Sequence, residues 1–425
     1  MVTTATLAPT YRPQMPVRPE DIDIPWPLVI DLLVRRLYMD GVRSVSSIGE
    51  ALCLSYPIVD SAFRQLRHQQ LVEVRGMEGD DYNIALTNAG KKFALSRMQI
   101  SQYVGPCPVS LKEYTKTVRA QAAKVQLNRR ALERVFDDLV LTDEILRQLG
   151  PAIVSQTSLF VYGSTGNGKT SIAERLLRIY SDVVVIPYAV FVDGQVIVLY
   201  DPIVHRRIDT EFTGLDPRYV VCHRPFVVVG GELTASMLEL RFDNAAKIYA
   251  APVQMKANNG IFVVDDFGRQ VIEPRKLLNR WIVPLDRRVD FLTLRHGVKF
   301  EIPFELMVVF ATNLNPQDLA DEAFLRRIPN KIYVPTVSAE SFDEIFRRFI
   351  EKMRVHCEPE SSAFLRQLCF QAGCRELRAC YPRDMITIAC CICEFEERQA
   401  YITQHELAQA VSIYFTRTMD VREDV

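Results

Sequence analysis

The sequence has little that would direct it into a membrane, and it has no excess of charge of one sign. No stretch of its 425 residues reaches the about 18 consecutive apolar residues of a membrane helix, and its N-terminus carries no apolar signal core. Ten cysteines without such a signal indicate free thiols in a reducing cytoplasm. The 51 Lys and Arg residues are balanced by 52 Asp and Glu residues, so no global basic field favours nucleic acid. We therefore expect a cytoplasmic protein with no membrane partner.

What the sequence does contain is a glycine-rich loop between an apolar strand and an amphipathic helix. Residues 158–170 read SLFVYGSTGNGKT and contain the phosphate-loop pattern of a glycine, four residues and Gly-Lys-Thr. Glycines let main-chain N–H groups turn toward phosphate oxygens, the lysine can reach the β- and γ-phosphates, and the threonine can ligate Mg²⁺. The sequence therefore predicts a nucleoside triphosphate site made of Gly163, Ser164, Thr165, Gly166, Asn167, Gly168, Lys169, Thr170 and Ser171.

Two later strands end in polar residues that suit the same site. Residues 260–270, GIFVVDDFGRQ, form a strand pattern that ends in Asp265 and Asp266, and residues 307–316, MVVFATNLNP, form one that ends in Asn313. The carboxyl ends of parallel strands meet at one edge of a sheet, so these side chains are expected beside the phosphate loop. We predict that Asp265 holds Mg²⁺ through water, that Asp266 polarises the attacking water and that Asn313 positions it.

The chain is too long for one core, and its composition changes along its length. A proline-rich start predicts a disordered or extended arm. The next segment shows three helical patterns followed by two alternating strands, which is typical of a winged helix. Two further hairpins are predicted in residues 183–201 and 289–303. The predicted domains are the arm (1–26), a winged-helix domain (27–100), a linker (101–119), an α/β nucleotide-binding domain (120–335) and a helical domain (336–425).

The winged-helix pattern does not decide whether its partner is a nucleic acid or a protein. In such a fold the third helix reads DNA. Its exposed positions here would be Arg64, Gln65, Arg67, His68, Gln69 and Gln70. Residues 21–100 nevertheless hold nine Lys and Arg against ten Asp and Glu, whereas DNA-binding domains carry a basic footprint. Protein docking is the preferred interpretation, and nucleic acid is the alternative.

With these pieces placed, the sequence resembles an AAA+ ATPase over residues 120–418. Five motifs occur in the family's order: GSTGNGKT matches Walker A, GIFVVDD Walker B, ATNLNP sensor 1 at Asn313, AFLRRIPNKI the arginine-finger box with Arg326 and Arg327, and ACYPRDM sensor 2 at Arg383. The hairpin at 289–303 is similar to one of MoxR-type proteins. More closely, the whole chain resembles bacterial ATPases predicted to be chaperones associated with Flp pilus assembly.

The resemblance implies a fold and a mechanism. The fold is α/β, a P-loop AAA+ domain with a parallel sheet between helices and a C-terminal helical lid, preceded by a small α+β winged helix. ATP and Mg²⁺ would bind in a homo-oligomeric ring, a hexamer, where Arg326 or Arg327 reaches the neighbour's γ-phosphate and Arg383 couples the lid to the nucleotide. Hydrolysis would remodel or chaperone a protein client or adaptor. The alternatives are an ATP-dependent DNA-binding or transcriptional regulator and a slow ATP switch.

Two features depart from the family pattern. The second acid of Walker B is usually glutamate, and here it is Asp266, which is one methylene shorter. The aromatic–apolar–glycine pore loop of members that thread polypeptides is also missing, although Met237, Leu238 or Tyr249 could line a pore. The first departure predicts slow hydrolysis. The second leaves open how a client is bound.

Overall fold

A computed structural model describes residues 9–210, 212–319 and 322–415 of the chain. By their contacts these residues fall into two units. The first unit comprises the described parts of Met1–Val125, Tyr180–Val263 and Gln270–Val308, and the second those of Gln126–Ile179, Val264–Arg269 and Val309–Val425. Residues 120–335, predicted as one domain, thus contribute to both units. Within the described ranges, no helix is both long and apolar enough to cross a membrane.

The helices and strands follow one another in three stretches of chain. The first stretch holds α1 (Trp26–Asp40), β1 (Arg43–Ser44), α2 (Val45–Leu52), α3 (Tyr56–His68), β2 (Val72–Glu78), β3 (Asp81–Leu86), α4 (Asn88–Met98), β4 (Val109–Ser110) and α5 (Leu111–Ala120). The second holds α6 (Arg129–Val135), α7 (Asp143–Ser155), β5 (Leu159–Tyr162), α8 (Lys169–Arg175), β6 (Val183–Pro187), β7 (Ala189–Val192), β8 (Gln195–Val198), β9 (Tyr219–His223), β10 (Phe226–Val229), β11 (Arg241–Asp243), β12 (Ile248–Ala250), α9 (Val253–Lys256) and β13 (Ile261–Val264). The third holds α10 (Pro274–Arg287), β14 (Val289–Thr293), β15 (Lys299–Pro303), β16 (Met307–Thr312), α11 (Pro316–Leu319), α12 (Glu322–Leu325), β17 (Asn330–Tyr333), α13 (Ala339–Met353), β18 (His356–Cys357), α14 (Ser361–Gln371), α15 (Cys380–Phe395), β19 (Tyr401–Ile402) and α16 (Gln404–Tyr414).

The sheet that carries the phosphate loop has the strand order β10-β13-β16-β5-β17. Strand β5 pairs in parallel with both of its neighbours, so that Leu159 lies opposite Val309 of β16 and opposite Asn330 of β17. The apolar residues of β5 are buried, as expected of a strand covered on both faces. The first strand of this sheet in the chain therefore lies between the last two, and their carboxyl ends reach the same edge.

Helices α1–α3 and the antiparallel sheet β1-β3-β2 have the element order of a winged helix. Apolar positions at helical spacing, such as Leu33, Ile48 and Phe63, are buried in one core. Strand β1, which is two residues long, was not predicted from the sequence, because such a short edge strand shows no alternating pattern. The two further hairpins are confirmed: β7 pairs with β8, and β14 with β15.

The start of the chain, predicted as a disordered or extended arm, is mainly extended and packed in its described part. Gln14 forms an antiparallel bridge with Leu215. The Asp23 carboxylate lies 2.6 Å from Arg218, whose side chain is 5% exposed. Apart from a short 3-10 helix at Pro19–Asp21, the backbone is extended, and extended backbone can pack on its neighbours and neutralise a buried charge. Residues 1–8 of the predicted arm lie outside the described residues.

Helix α5 begins at Leu111 and so occupies the second half of the predicted linker, residues 101–119. Ser110 caps this helix by accepting a hydrogen bond from the Glu113 N–H at 3.2 Å. Tyr114 and Val118 are buried, so α5 is part of the core of the first unit. Pro106 and Pro108 lie before the helix and do not interrupt it.

Substitution of Asp23 tests whether the arm stabilises the first unit. Asp23→Ala removes one carboxylate from Arg218 and should lower the free energy of unfolding by roughly 2 kcal/mol, less than the loss of a whole buried pair, because Asp216 still lies 2.8 Å from Arg218. Both tryptophans, Trp26 and Trp281, lie in the first unit, so their fluorescence during urea unfolding reports on it.

Asp21→Ala is the matched control, because the Asp21 pair with Arg18 is exposed and should matter little. Burial alone raises the pKa of Asp23, but the charge of Arg218 and the Ser110 N–H lower it below its usual 3.8 overall. The stabilisation is therefore present above that value and is lost as the pH falls through the folded-state pKa. Equal losses for the two variants at neutral pH would contradict the prediction.

Candidate functional site

The phosphate loop, residues 163–170, connects β5 to α8 and contains two glycines in the left-handed backbone conformation. Gly166 has φ +82° and Gly168 has φ +85°, a region that L-residues with side chains rarely adopt. At Gly163 an added Cβ would lie 2.2 Å from the Val334 carbonyl oxygen, so the loop passes close to the chain that follows β17. Ser171 lies one turn into α8. The loop thus has the conformation that the glycine spacing predicted.

The Lys169 side chain is held inside this loop. Its Nζ donates to the carbonyl oxygens of Gly163 and Ser164, both at 3.0 Å, and the residue is 8% exposed. Burial lowers the pKa of Lys169, while the negative charges of Asp266 and Asp265 act in the opposite direction. The ammonium group therefore lies in the electrostatic reach of both predicted acids, and an anionic ligand would favour its charged form.

The structure brings the two predicted metal ligands together. The Thr170 hydroxyl lies 3.0 Å from each carboxylate oxygen of Asp265. Asp265 also accepts from the Asp266 N–H at 3.1 Å, and Asp266 itself has φ +47°. A hydroxyl and a carboxylate are oxygen donors of the kind that Mg²⁺ prefers. This donor set fits Mg²⁺.

The amide of Asn313 reaches the phosphate loop from β16. Its Nδ2 lies 3.5 Å from the Thr165 hydroxyl oxygen, at the outer limit of a hydrogen bond. Its Oδ1 is buried and has no hydrogen-bond partner among the described residues. An unsatisfied buried acceptor is costly, and a water molecule could supply the missing donor. The arrangement fits the predicted role of Asn313 in positioning water.

Behind these polar groups, three phenylalanine rings pack together, one from β5, one from β16 and one from the turn after β13. The rings of Phe160, Phe267 and Phe310 lie within 6.0 Å of one another, centroid to centroid. The Thr312 hydroxyl donates to the Phe267 carbonyl at 2.7 Å, and the Phe267 N–H donates to Ala311 at 2.7 Å. The turn that carries the two acids is therefore held against β16. Sequence reasoning missed Thr312 and Phe267, although both lie beside a predicted site residue.

The lid, helices α13–α16 with the β18-β19 pair, contacts the phosphate loop at the start of α15. The Cys380 N–H donates to the Gly166 carbonyl at 2.9 Å, and the Ala379 N–H donates to Asn167 Oδ1 at 3.3 Å. The Cδ atom of Arg378 lies 3.5 Å from where a Gly166 Cβ would be. Arg378 is thus a lid arginine beside the loop that sequence reasoning missed, and its only signal was its place just before a helix.

The contacts of the three arginines that were predicted do not assign them a role. Arg383 lies in the first turn of α15, is 64% exposed, and its Nε donates to Asp384 at 3.0 Å. Arg326 is 77% exposed and pairs with Glu322 at 3.2 Å. Arg327 is half-buried and its main-chain N–H donates to Phe324 at 2.8 Å. The roles of Arg326, Arg327 and Arg383 toward a nucleotide remain predictions.

Strand order and site together define the class of this fold. A phosphate loop follows β5, an acid pair follows β13, an amide follows β16, and a helical lid comes last. This is an α/β P-loop architecture, a sheet with a phosphate loop at its carboxyl edge followed by a helical domain, and the chain has that fold.

Comparison with known proteins gives one family match, within the lid, and distant structural similarities. Residues 338–413, within the lid, match a family described as a domain of unknown function, DUF8689. No curated protein matches the chain. Among solved structures, it is similar to NtrX from Brucella abortus in complex with ADP, at 16% identity and a TM-score of 0.41, covering 65% of this chain and 56% of NtrX. It is also similar to the Thermotoga maritima RuvB Holliday junction branch migration motor, at 10% identity and a TM-score of 0.36, covering 69% of this chain and 72% of RuvB. At these scores the likeness carries no argument about activity or partners.

The contact between loop and lid predicts a specific coupling between two substitutions. Gly166→Ala should weaken nucleotide affinity about tenfold or more, because the new Cβ would lie 2.6 Å from the Cys380 Sγ and would also need φ +82°. Adding Cys380→Ala removes the clash but not the backbone strain, so it should restore part of the affinity. Calorimetric titration of the single and double variants measures this coupling. If the two effects simply add, the close approach of loop and lid is wrong.

Proposed function

We propose that the protein binds ATP with Mg²⁺ at the phosphate loop and hydrolyses it. The observation that carries the proposal is the contact of the Thr170 hydroxyl with both Asp265 oxygens, since it joins the loop to the acid-bearing strand end. Lys169 would neutralise charge on the β- and γ-phosphates. Thr170 and Asp265 would hold Mg²⁺, directly and through water respectively, and the ion would neutralise phosphate charge that develops during transfer.

Asp266 and Asn313 are the proposed water-handling pair. Asp266 accepts a proton from water as the water oxygen bonds to the γ-phosphorus, and the bond from that phosphorus to the bridging oxygen breaks. ADP and inorganic phosphate leave, and the proton passes to solvent. Asn313 orients the water through its Oδ1, which has no partner among the described residues. We expect slow turnover, because the aspartate is shorter than the usual glutamate.

We further propose that the ATPase works as a ring, a hexamer, that remodels or chaperones a protein partner. Support comes from the arginine pair after α12, of which Arg326 is 77% exposed and so available to a neighbouring subunit. A guanidinium supplied across an interface is suited to the charge of a transferring phosphoryl group. Arg383 and Arg378 are proposed to couple the lid to the nucleotide. A chaperone role of the MoxR type, or one in pilus assembly, is part of this proposal, as is a cytoplasmic location, where thiols stay reduced.

For the winged helix we favour a protein partner over DNA. Arg64 of α3 lies 2.8 Å from Asp60, so part of its charge is neutralised within the helix. The exposed tip of the β2–β3 wing, residues 75–80, carries Glu78 and Asp80 against Arg75. Acidic groups at this tip would repel a phosphate backbone, whereas a wing that binds DNA needs basic residues there. ATP-dependent DNA binding or transcriptional regulation remains the alternative.

A matched pair of substitutions at Thr170 tests the proposed chemistry. Thr170→Ser keeps the hydroxyl and should retain most Mg²⁺-dependent ATP hydrolysis. Thr170→Val keeps the shape but removes the oxygen, and hydrolysis should fall at least about a hundredfold, a loss typical of a transition-state interaction of a few kcal/mol. Phosphate release measured against Mg²⁺ concentration checks both. Equal activity of the two variants would contradict the proposed metal role of Thr170. An unsubstituted protein that does not hydrolyse ATP would contradict the proposed function.

Mixing of two inactive variants tests the ring. Arg327 is our first choice for the finger, because it directly precedes the apolar Ile328. Lys169→Ala loses the nucleotide and Arg327→Ala loses this finger, so each should be inactive alone. When co-assembled, they should regain part of the ATPase activity, because an intact site forms wherever an unsubstituted Lys169 meets an unsubstituted Arg327. The same mixture with Arg326→Ala decides which arginine is the finger. A mixture that stays inactive although light scattering shows co-assembly contradicts a role in trans.

A further inference from the structure

The N-terminus of α15 has no capping group from its own sequence. The residue before the helix is Ala379, which makes no side-chain hydrogen bond to the helix, and the first turn contains no acidic residue. The first N–H groups of any helix lack partners within the helix and need acceptors from elsewhere. Here two acceptors come from the phosphate loop, namely the Gly166 carbonyl for Cys380 and Asn167 Oδ1 for Ala379. The loop therefore caps the lid helix.

This contact fixes the orientation of the Asn167 amide. A main-chain N–H can only donate, so the atom of Asn167 that faces Ala379 must be the carbonyl oxygen. The amide nitrogen Nδ2 is then turned away from α15. Asn167 is 5% exposed, and its Nδ2 has no hydrogen-bond partner among the described residues. A buried NH₂ group without an acceptor destabilises the structure, so this donor indicates a ligand on the loop that carries oxygen acceptors.

Neighbouring loop residues show how tightly this region is joined. Thr165 is approached by the Asn313 amide, and Gly166 has no room for a side chain against Cys380. Asn167 is the one residue of these three whose side chain contacts the lid by a hydrogen bond. A ligand that displaces the Asn167 side chain by even a small distance must change the 3.3 Å bond to Ala379. The side chain is therefore placed to connect ligand and lid.

We propose that Asn167 is a positioning residue that couples the bound triphosphate to the lid. Its Oδ1 caps α15, while its Nδ2 donates to a phosphate oxygen, so one planar amide holds the helix and the nucleotide in a fixed relation. The inference rests on the proposed ATP binding, and it adds a residue whose function is not to bind phosphate alone. Nucleotide binding thus orders the start of α15 through Asn167.

Two substitutions separate the two ends of the amide. Asn167→Asp keeps an oxygen for Ala379 but has no N–H donor, whereas Asn167→Ala has neither. Hydrogen exchange of a peptide covering residues 377–383 is measured without nucleotide and with a non-hydrolysable ATP analogue plus Mg²⁺. Without nucleotide, the alanine variant should exchange faster, by about tenfold, and the aspartate variant should not. With the analogue, both variants should bind about tenfold or more weakly and show less added protection of this peptide than the unsubstituted protein.

Lys169→Ala distinguishes failure of this inference from failure of the proposed function. It should lose the analogue but keep the nucleotide-free protection of residues 377–383. If the unsubstituted protein does not bind the analogue, ATP binding is wrong, while the exchange without nucleotide still tests the cap. If Asn167→Ala leaves both the nucleotide-free exchange and the analogue-induced protection unchanged, the coupling is wrong. It is equally wrong if the cap is lost but the analogue-induced protection stays at the unsubstituted level.

Discussion

The parallel pairing of β5 with both β16 and β17 is the constraint on which the candidate site depends. Parallel strands place all of their carboxyl ends at one edge, so a loop after β5 and an amide after β16 must lie near one another. The bond between Thr170 and Asp265 then closes the site on its other side. Because the side chains lie in the first turn of α8 and directly after paired strands, they need little reorganisation to meet a charged ligand.

Rigidity behind the site comes from apolar contact and from one hydroxyl. The three phenylalanine rings fill the space beneath the acid turn, and the Thr312 hydroxyl satisfies the Phe267 carbonyl there. A close-packed interior does not deform gradually, so a shift at the turn would have to move β16 as well. The lid, in contrast, meets the loop through a few hydrogen bonds to Gly166 and Asn167. The candidate site therefore combines a rigid strand edge with a contact between lid and loop that a ligand can strengthen or break.

In the first unit, buried ion pairs hold distant segments of the chain together. Arg218 and Arg224 are 4% and 5% exposed, and each is neutralised by carboxylates far away in sequence, Asp23 and Asp182. Arg224 also donates to the carbonyls of Gln121 and Asn259. Removing Asp23 would leave the buried Arg218 with Asp216 alone, which explains how a proline-rich segment with few apolar residues is held in place.

The sequence by itself determined the phosphate-loop glycines, the acids after β13 and the amide after β16, together with both hairpins and the three helices and two longer strands of residues 27–100. These follow from local chemistry, because glycine spacing, alternating apolar residues and a polar residue at a strand end act over a few neighbours. Only the tertiary structure decided that the start of the chain is packed, and that Gly166 and Asn167 accept hydrogen bonds from the start of α15. Each of these depends on contacts between residues that are distant in the chain. A proline-rich segment or an asparagine in a glycine loop has the same local pattern whether or not a partner such as Arg218 or Ala379 comes within hydrogen-bonding distance.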